Sequence, residues 1–234
     1  MDRLREPRSG QNQMALRVLS NARRTMARER TAAINALTAL LRIVELGKDA
    51  RKPLTVTQIK TIAAWRERDE EFGTQTCRRE AVRLAKQILT LREQMAQNHA
   101  ELEALVQQVQ PALLNIYGIG PVLAAIILTA WSHTGRVRSE AAFAALAGTC
   151  PVPASSGGTT RFRLNRGGDR QLNKAIYTIA LIKMNRDAAT KDYVAKRTNE
   201  GRTKKEIIRS LKRYITRQIY RTLASVTGPE PIPT

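Results

Sequence analysis

Apolar residues recur every three or four positions along most of this chain of 234 residues, a spacing that predicts a mainly α-helical protein. The first long pattern covers residues 14–46 and ends before Gly47 and Pro53, which both disfavour a helix. Arg23 and Arg30 interrupt its apolar stripe, so we expect the N-terminal half of this helix to be only partly buried. The stripe comprises Leu16, Leu19, Met26, Ala33, Leu37, Leu40 and Val44.

A second long pattern, over residues 76–110, keeps a strict three-four alternation of apolar positions, which is typical of the heptad seam of a coiled coil. Asn98 is its one polar member, a residue type that costs stability but can fix the register or the oligomeric state. Between the two long patterns, Thr55 and Gln58 form a capping box that predicts a short helix over residues 56–71. The seam comprises Ala81, Leu84, Ile88, Leu91, Met95, Asn98, Leu102, Leu105 and Val109.

Two long helices around a short one can be arranged in three ways. They can form an antiparallel coiled-coil hairpin within one chain, share the seam between two chains, or be ordinary amphipathic helices that pack on their own domain. We interpret residues 14–110 as a long coiled-coil helical hairpin that also supports a homo-oligomer, preceded by a flexible lead-in over residues 1–13.

A change in composition after residue 110 predicts a second, compact helical domain over residues 111–226, followed by a tail over 227–234. Gly118 and Gly120 precede Pro121 between two apolar segments, and proline suits the first position of a helix. This pattern resembles a helix-hairpin-helix motif, in which backbone N–H groups at a glycine turn contact DNA phosphates. A plain corner between two core helices is the alternative.

Capping residues predict four further helices in this domain. Ser139 precedes a short helix that Gly148 ends, and Asp169 is an N-cap for a helix over residues 170–186. A helix follows around Tyr193. Thr203 and Glu206 form a second capping box, which begins a last helix over residues 204–226.

The charge of the chain indicates a polyanionic partner. Lys and Arg number 40 against 20 Asp and Glu, which gives a formal net charge of +20. More than half of this excess lies after residue 150, where basic residues crowd the predicted last helix without acidic partners at helical spacing. Such an excess favours nucleic acid, and DNA above all, over a membrane surface.

Several other classes of protein are excluded by what the sequence lacks. No apolar run is long enough to span a membrane, and the N-terminus has no apolar signal region. Cys77 and Cys150 stand far apart without metal-binding spacing, and nothing resembles a zinc site. Asp187 and Asp192 are best interpreted as a helix start and a surface acid. We therefore expect a cytoplasmic protein without a membrane partner and without a metal site of its own.

The segment 150–177 carries the strongest candidate chemistry. Ser155 and Ser156 stand directly before Gly157 and Gly158, and several arginines follow. Small hydroxyls beside glycines let a backbone approach a phosphate closely, and guanidinium groups then hold it. A serine that acts on a nucleic-acid phosphate is one interpretation, and a surface loop followed by a basic strand or extended arm over residues 159–164 is the other.

An ordered series of motifs resembles a known family. It comprises GIGP at 118–121, AALAG at 144–148, PVPASSG at 151–157, RLNRGGDRQLNKAIY at 163–177 and KEIIRSLKRYITRQIYR at 205–221. These motifs resemble the C-terminal half of the "IS-one-ten" family of insertion-sequence transposases, the DEDD transposases that are also described as bridge-RNA-guided serine recombinases. Residues 14–110 resemble the coiled-coil region of that family.

The resemblance implies DNA transposition through a serine that attacks a DNA phosphate, with DNA and a guide (bridge) RNA as partners. It assigns the nucleophile to Ser156, with Ser155 as the alternative because the doublet leaves the alignment ambiguous by one residue. It also implies Mg²⁺ held by an acidic RuvC-like half that this sequence lacks, so we expect a truncated transposase with no cofactor of its own. The expected nucleic-acid contacts are Gly118, Gly120, Arg161, Arg163, Arg166, Arg170, Lys204, Lys205, Arg209, Lys212 and Arg213.

Two rival functions fit the same residues. A non-catalytic nucleic-acid-binding module, or an inactive remnant of a mobile element, would use the glycine turn and the basic last helix and leave the serines as loop residues. A coiled-coil scaffold would instead dimerise through the seam.

Overall fold

The capping and periodicity signals produce eight α-helices and one pair of short strands within the residues that the structure describes. This computed structural model describes residues 10–133, 135–150, 152–153, 162–163, 165 and 167–225. The prediction of a mainly α-helical protein is confirmed. In chain order the elements are α1 (Gln11–Ile43), α2 (Val56–Ala63), α3 (Phe72–Val109), α4 (Pro121–Trp131), α5 (Glu140–Leu146), β1 (Val152–Pro153), β2 (Phe162–Arg163), α6 (Arg170–Arg186), α7 (Ala188–Asn199) and α8 (Lys204–Ala224).

The chain divides into two compact units. One comprises residues 19–101, and the other comprises residues 1–18 and 102–234. The unit of residues 19–101 contains α2 and most of α1 and α3, whereas the larger unit contains every later element. The boundaries predicted near residues 13 and 110 stay predictions.

In the unit of residues 19–101, the apolar faces of α1, α2 and α3 form one core. Ala33, Leu37 and Leu41 of α1 pack with Ala81, Leu84, Ala85 and Ile88 of α3 and with Ile59 and Ile62 of α2. Two hydrogen bonds show that early positions of α1 meet late positions of α3. The Asn98 side chain donates to the Leu19 carbonyl, and the Arg23 guanidinium donates to the Met95 carbonyl. The two helices therefore run antiparallel here, and α1 of the same chain covers these seam residues.

The N-terminal part of α1 is only partly buried, as its interrupted stripe predicts. Leu19, Arg23, Met26 and Arg30 are all half-buried, whereas Leu16 and Leu37 are fully buried. In α3 the predicted seam is buried through Leu102, after which the buried position moves from the predicted Leu105 to Val106. An α-helix has 3.6 residues per turn, so a strict heptad drifts off the contact line over this length.

The short helix α2 begins at its predicted capping box but ends eight residues earlier than predicted. Thr55 accepts a hydrogen bond from the Gln58 backbone N–H, and the Gln58 side chain accepts one from Thr55. The chain leaves the helix after Ala63, and Glu70 beyond it forms a salt bridge with Arg78. The Arg78 side chain is only 6% exposed, and its guanidinium lies 5.1 Å from the centre of the Trp65 ring. Hydrogen bonding from Arg78 lowers the pKa of Glu70.

Asn98 lies in the seam with half of its amide unsatisfied. Its side-chain nitrogen donates to the Leu19 carbonyl at 3.1 Å, whereas its oxygen Oδ1 is buried and has no hydrogen-bond partner among the described residues. A buried acceptor without a donor costs about 1–3 kcal/mol. This position therefore lowers the stability of the helical pair, as its sequence predicts.

We expect Asn98→Leu to raise the free energy of unfolding by about 1 kcal/mol, because leucine removes the unsatisfied oxygen and fills an apolar seam. Urea unfolding followed by circular dichroism measures this change, and Gln97→Leu at an exposed neighbouring position is the matched control. A destabilised Asn98→Leu variant would show instead that the hydrogen bond to Leu19 outweighs the unsatisfied oxygen.

The larger unit packs α6 against α4, α7 and α8, with α5 on α8. Its core includes Phe143 of α5, whose ring meets Trp131 edge-on at 5.5 Å between centroids. Leu172, Ile176 and Ile179 of α6 and Ile219 of α8 are fully buried. Within the part of the chain that the structure describes, no helix is both long and apolar enough to cross a membrane.

The predicted caps of this unit are confirmed. Ser139 accepts from the Ala142 N–H, and Asp169 accepts from the N–H groups of Gln171 and Leu172 at the start of α6. Thr203 and Glu206 form the predicted capping box of α8. Asp187 caps α7, which confirms its interpretation as a helix start.

The glycine turn is flanked differently from the prediction. Gly120 is the N-cap of α4 with Pro121 at the first helical position, as expected. Before the turn, however, Pro111–Leu113 forms a short 3-10 helix rather than an apolar α-helix. Gly118 has φ +87°, and a Cβ there would meet Ile179 and Ile182 of α6 at 3.4–3.6 Å. The turn therefore packs against the core side of α6.

Candidate nucleic-acid interface

Strands β1 and β2 form a two-stranded antiparallel hairpin in the larger unit. Val152 pairs with Arg163 and Pro153 pairs with Phe162, so residues 154–161 join the two strands. That joining segment contains Ser155, Ser156 and Arg161, and it lies outside the described residues, as does Arg166. The described residues therefore define the base of the hairpin from which the serine segment extends.

Backbone hydrogen bonds hold the entry to the hairpin against the end of α5. The N–H groups of Thr149 and Cys150 both donate to the Ala144 carbonyl, at 2.9 and 3.2 Å. The Thr149 hydroxyl also lies 3.1 Å from the Thr216 hydroxyl of α8. This links the chain directly before β1 to two helices.

The exit from the hairpin is held by two glycines that approach each other closely. The Asp169 N–H donates to the Leu146 carbonyl at 2.7 Å, which draws the chain at Gly168 onto Gly148. A Cβ on Gly168 would lie 2.6 Å from the Leu146 oxygen and 2.7 Å from the Gly148 nitrogen. Only glycine leaves room for this contact between two backbones.

Asn173 of α6 and Lys212 of α8 complete the anchor. The Asn173 amide donates to the Ala147 carbonyl at 2.6 Å, and its oxygen accepts from the Lys212 ammonium at 2.9 Å. Lys212 is only 8% exposed, and burial lowers the pKa of its ammonium. Lys212 thus orients Asn173, which in turn fixes the backbone at Gly148.

A first basic cleft, of about 510 Å³, opens between the hairpin base and α8. Six cationic side chains line it and Glu206 is the one carboxylate of its lining, whose pKa is lowered by a hydrogen bond from the Thr203 backbone. Such an excess of cations attracts phosphate groups. The lining comprises Gly148, Thr149, Cys150, Asn165, Arg197, Arg202, Glu206, Ile207, Arg209, Ser210, Lys212, Arg213, Tyr214 and Arg217.

Glu140 orients two arginines of this cleft. One carboxylate oxygen of Glu140 lies 2.9 Å from Arg213 and 3.1 Å from Arg217. The hydrogen bond from Arg217 lowers the pKa of Glu140. A further nitrogen of Arg213, Nη1, is buried and has no hydrogen-bond partner among the described residues. One carboxylate shared by two guanidinium groups leaves the pair with excess positive charge.

A second basic cleft, of about 360 Å³, shares the lining residues Gly148 and Asn165 with the first. Arg170 and Lys174 supply its charge and Tyr177 supplies an exposed aromatic ring. Its remaining lining residues are Gly168 and Asn173. Two adjoining basic clefts therefore lie at the hairpin base.

The structure brings together some of the predicted contact residues and separates others. Arg209, Lys212 and Arg213 line the first cleft, and Arg170 lines the second. Lys204 and Lys205 are exposed in the first turn of α8 but line neither cleft. The backbone of Arg163 belongs to β2. As nucleic-acid contacts, all of these residues stay predictions.

The glycine turn lines neither cleft. Gly118 packs on Ile179 and Ile182 of α6. These two residues follow Tyr177, which lines the second cleft, by two and five positions, or about 3–8 Å along the helix. Gly120 is exposed, and a Cβ added there would meet no described group within 4 Å. A contact of this turn with DNA would therefore use residues other than those that line the clefts.

Several cleft residues were absent from the predicted set, namely Arg197, Arg202, Arg217, Lys174, Tyr177 and Tyr214. Arg197 and Arg202 flank Gly201, whose φ of +79° reverses the chain between α7 and α8. Gly201 could have predicted that these two arginines lie close together, because a tight turn places the residues before and after it at the same end of two packed helices. The aromatic residues gave no comparable signal.

Within the described ranges, no three His, Cys, Asp or Glu side chains lie close enough together to hold a metal ion. Asp187 is occupied as the N-cap of α7, where it accepts from the Thr190 N–H at 3.1 Å. The residues present in these ranges do not fit a divalent metal site.

Comparisons with known proteins support the family resemblance. Residues 110–195 match the model of the transposase family IS116/IS110/IS902. An uncharacterized 43.6 kDa protein of insertion element IS110 from Streptomyces coelicolor is 29% identical over 133 residues, which are 56% of this chain and 33% of that protein. An uncharacterized 42 kDa protein of insertion element IS900 from Mycobacterium paratuberculosis is 27% identical over 170 residues, or 71% of this chain and 43% of that protein.

The chain thus spans less than half the length of these two relatives. The family match covers the glycine turn, the whole second cleft and the hairpin base, whereas α8 lies outside it. The matches support an insertion-sequence transposase of the IS110 family.

Proposed function

We propose that this chain is the DNA-binding and strand-transfer part of an insertion-sequence transposase. The observation that carries the proposal is the pair of adjoining basic clefts at the base of the β1–β2 hairpin. Their guanidinium and ammonium groups would hold DNA phosphates beside the segment that contains the serine doublet. The match of residues 110–195 to the transposase family supports the same conclusion.

The proposed nucleophile is Ser156, with Ser155 as the alternative. Its oxygen attacks a DNA phosphorus atom, a serine–phosphate ester forms, and the bond to one deoxyribose oxygen breaks. The serine proton passes to a base and the departing deoxyribose oxygen takes up a proton. A hydroxyl of another DNA end then attacks the phosphoserine, which joins that end and restores the serine. Arg161, Arg163 and Arg166 are proposed to neutralise the developing charge.

The described residues contribute binding and orientation to this reaction. Arg209 and Arg213 in the first cleft and Arg170 and Lys174 in the second would fix the phosphates of one strand at the base of the hairpin. Asn173 and Lys212 would keep the hairpin base in a constant position while the phosphate reacts. Divalent-metal chemistry is proposed to come from an acidic RuvC-like part outside this chain, together with a guide RNA and self-association through the helical seam.

A trapping assay tests the proposed chemistry. Labelled DNA with the ends of the element is incubated with the full chain and Mg²⁺, with and without a full-length relative, and then run on a denaturing gel. We expect a labelled band that migrates with this chain, and we expect Ser156→Ala to abolish it while DNA affinity stays within about twofold, because one loop hydroxyl adds little to phosphate binding.

Ser155→Ala is the matched control and should keep the band. If the band instead disappears in Ser155→Ala and persists in Ser156→Ala, the nucleophile is Ser155. If tight DNA binding gives no band in either mixture, the chain is a non-catalytic nucleic-acid-binding module and the proposed chemistry is wrong.

A further inference from the structure

The first basic cleft contains an aromatic wall that phosphate binding alone does not explain. Tyr214 of α8 is 55% exposed and lines the cleft beside buried Ile207. Its ring makes an edge-on contact with Tyr193 of α7, at 6.1 Å between centroids and 85° between ring planes. An exposed ring offers an aromatic surface to a flat ligand.

The cleft is also a concave site of the size that takes one small ligand. Its volume of about 510 Å³ lies within the usual range for pockets that bury a cofactor or a single nucleotide. A continuous duplex has its bases stacked inside a wide cylinder, so only its backbone could reach the cleft mouth. A nucleotide that has left the stack can enter and place its base against a side chain.

Phosphate donors lie next to the aromatic wall. Arg213 lines the cleft with its side chain 30% exposed, and its Nη2 lies 2.9 Å from Glu140. Arg209, one helical turn before Arg213, is exposed, and its Nε donates to the Lys205 carbonyl. The two guanidinium groups and the Tyr214 ring follow one another on α8 and line the same cleft.

We propose that the first basic cleft binds one unpaired nucleotide of DNA, with its phosphate on Arg209 and Arg213 and its base against Tyr214. This inference rests on the proposed function, in which the chain handles DNA, and it adds the substrate form: a strand with a nucleotide outside the base-paired stack. An unpaired nucleotide held beside the hairpin base would expose the adjoining phosphate for attack.

Three DNA probes of otherwise identical sequence test the proposal with the full chain. The first is a fully paired duplex, the second has one unpaired thymidine, and the third has an abasic residue at that unpaired position. Fluorescence anisotropy at one fixed salt concentration measures the dissociation constants. We expect the unpaired thymidine to bind about tenfold more tightly than the abasic probe, because stacking of one base on an aromatic ring has this magnitude.

Three variants test whether the Tyr214 ring causes the preference for the unpaired thymidine. Tyr214→Ala should lose the preference for the thymidine probe over the abasic probe, whereas Tyr214→Phe should keep it. Tyr117→Ala removes an equally exposed tyrosine in the glycine-turn segment and should leave the preference unchanged. Thermal unfolding of each variant identifies any loss of affinity that comes from a less stable fold.

Two results would overturn the inference. If Tyr214→Ala weakens all three probes by the same factor, the cleft holds backbone phosphates only, and the proposed DNA-binding function survives without the nucleotide site. If the wild-type chain binds none of the probes, both the nucleotide site and the proposed function are wrong.

Discussion

Replacing Gly168 by alanine will destabilise the larger unit by about 3 kcal/mol, the upper part of the range for steric overpacking. The added methyl group would lie 2.6 Å from the Leu146 oxygen and 2.7 Å from the Gly148 nitrogen. Both atoms belong to backbone, which cannot turn aside as a flexible side chain can. The chain must therefore separate at this contact, and the hydrogen bond from Asp169 to Leu146 is lost with it.

This substitution will also weaken DNA binding, because Gly148 lines both basic clefts. Urea unfolding measures the stability, and DNA anisotropy at low denaturant measures the binding. Gly167→Ala is the matched control, since among the described residues a methyl group there would meet only the Asn165 side-chain oxygen, at 3.4 Å, an ordinary contact. If Gly168→Ala is as stable as Gly167→Ala, the added methyl group lies more than 3 Å from the backbone atoms of Leu146 and Gly148, and the close contact is wrong.

Neutralising three arginines of the first basic cleft will reduce DNA affinity steeply and make it less sensitive to salt. We expect the triple variant, with glutamine in place of Arg202, Arg209 and Arg213, to have a slope of log affinity against log salt that is smaller in magnitude by about 2.7. Each lost phosphate contact removes about 0.9 from this slope. At low salt the affinity should fall about a hundredfold. Arg217 keeps its ion pair with Glu140 in this variant, whereas the pairs of Arg213 with Glu140 and of Arg202 with Glu206 are lost.

The control for this experiment has the same loss of net charge in another place. Arg28, Arg79 and Arg92 are exposed on α1 and α3 and line neither cleft, so their replacement by glutamine changes the long-range attraction equally. Titrations of both triple variants at several salt concentrations measure the slopes. If the control variant loses as much slope as the cleft variant, DNA binding is distributed over the whole basic surface and does not require the cleft.

Local signals in the sequence predicted much of the secondary structure. Asp169 began α6 at the predicted residue, and both capping boxes formed, at Thr55 and at Thr203. These motifs satisfy N–H groups within one turn of chain, so they depend little on the rest of the fold. The partial burial of the N-terminal half of α1 was also predictable, because Arg23 and Arg30 resist full burial in any arrangement.

Other elements depended on partners that are distant in sequence. The early end of α2 is accompanied by an ion pair between Glu70 and the nearly buried Arg78, whereas the sequence pattern predicts a helix that continues through Glu70. The 3-10 helix at Pro111–Leu113 replaced a predicted apolar α-helix, since an apolar segment alone does not distinguish a helix from a packed turn. Proline at its first position favours the shorter element.

The candidate site was predictable as a set of charges and less so as a shape. The basic character of α8 was evident, whereas the position of Lys212 was not: it is buried and donates to Asn173. The sequence pattern predicted exposed positions for both Lys212 and Arg209 on α8, and only Arg209 of the two is exposed. The two clefts form only where α5, α6, α7 and α8 meet the hairpin base, and no local motif encodes that junction.

The anchoring of the hairpin base has a consequence for how such chains change over time. The hydrogen bonds of Thr149, Asp169 and Asn173 that hold the hairpin base join described residues of the segment 144–149, α6 and α8. These contacts and the proposed chemistry of the serine doublet therefore belong to separate stretches of sequence. On the proposed function, a single codon change at the doublet would remove the chemistry and leave a folded chain that still binds DNA. Such inactive copies would compete persistently with active ones.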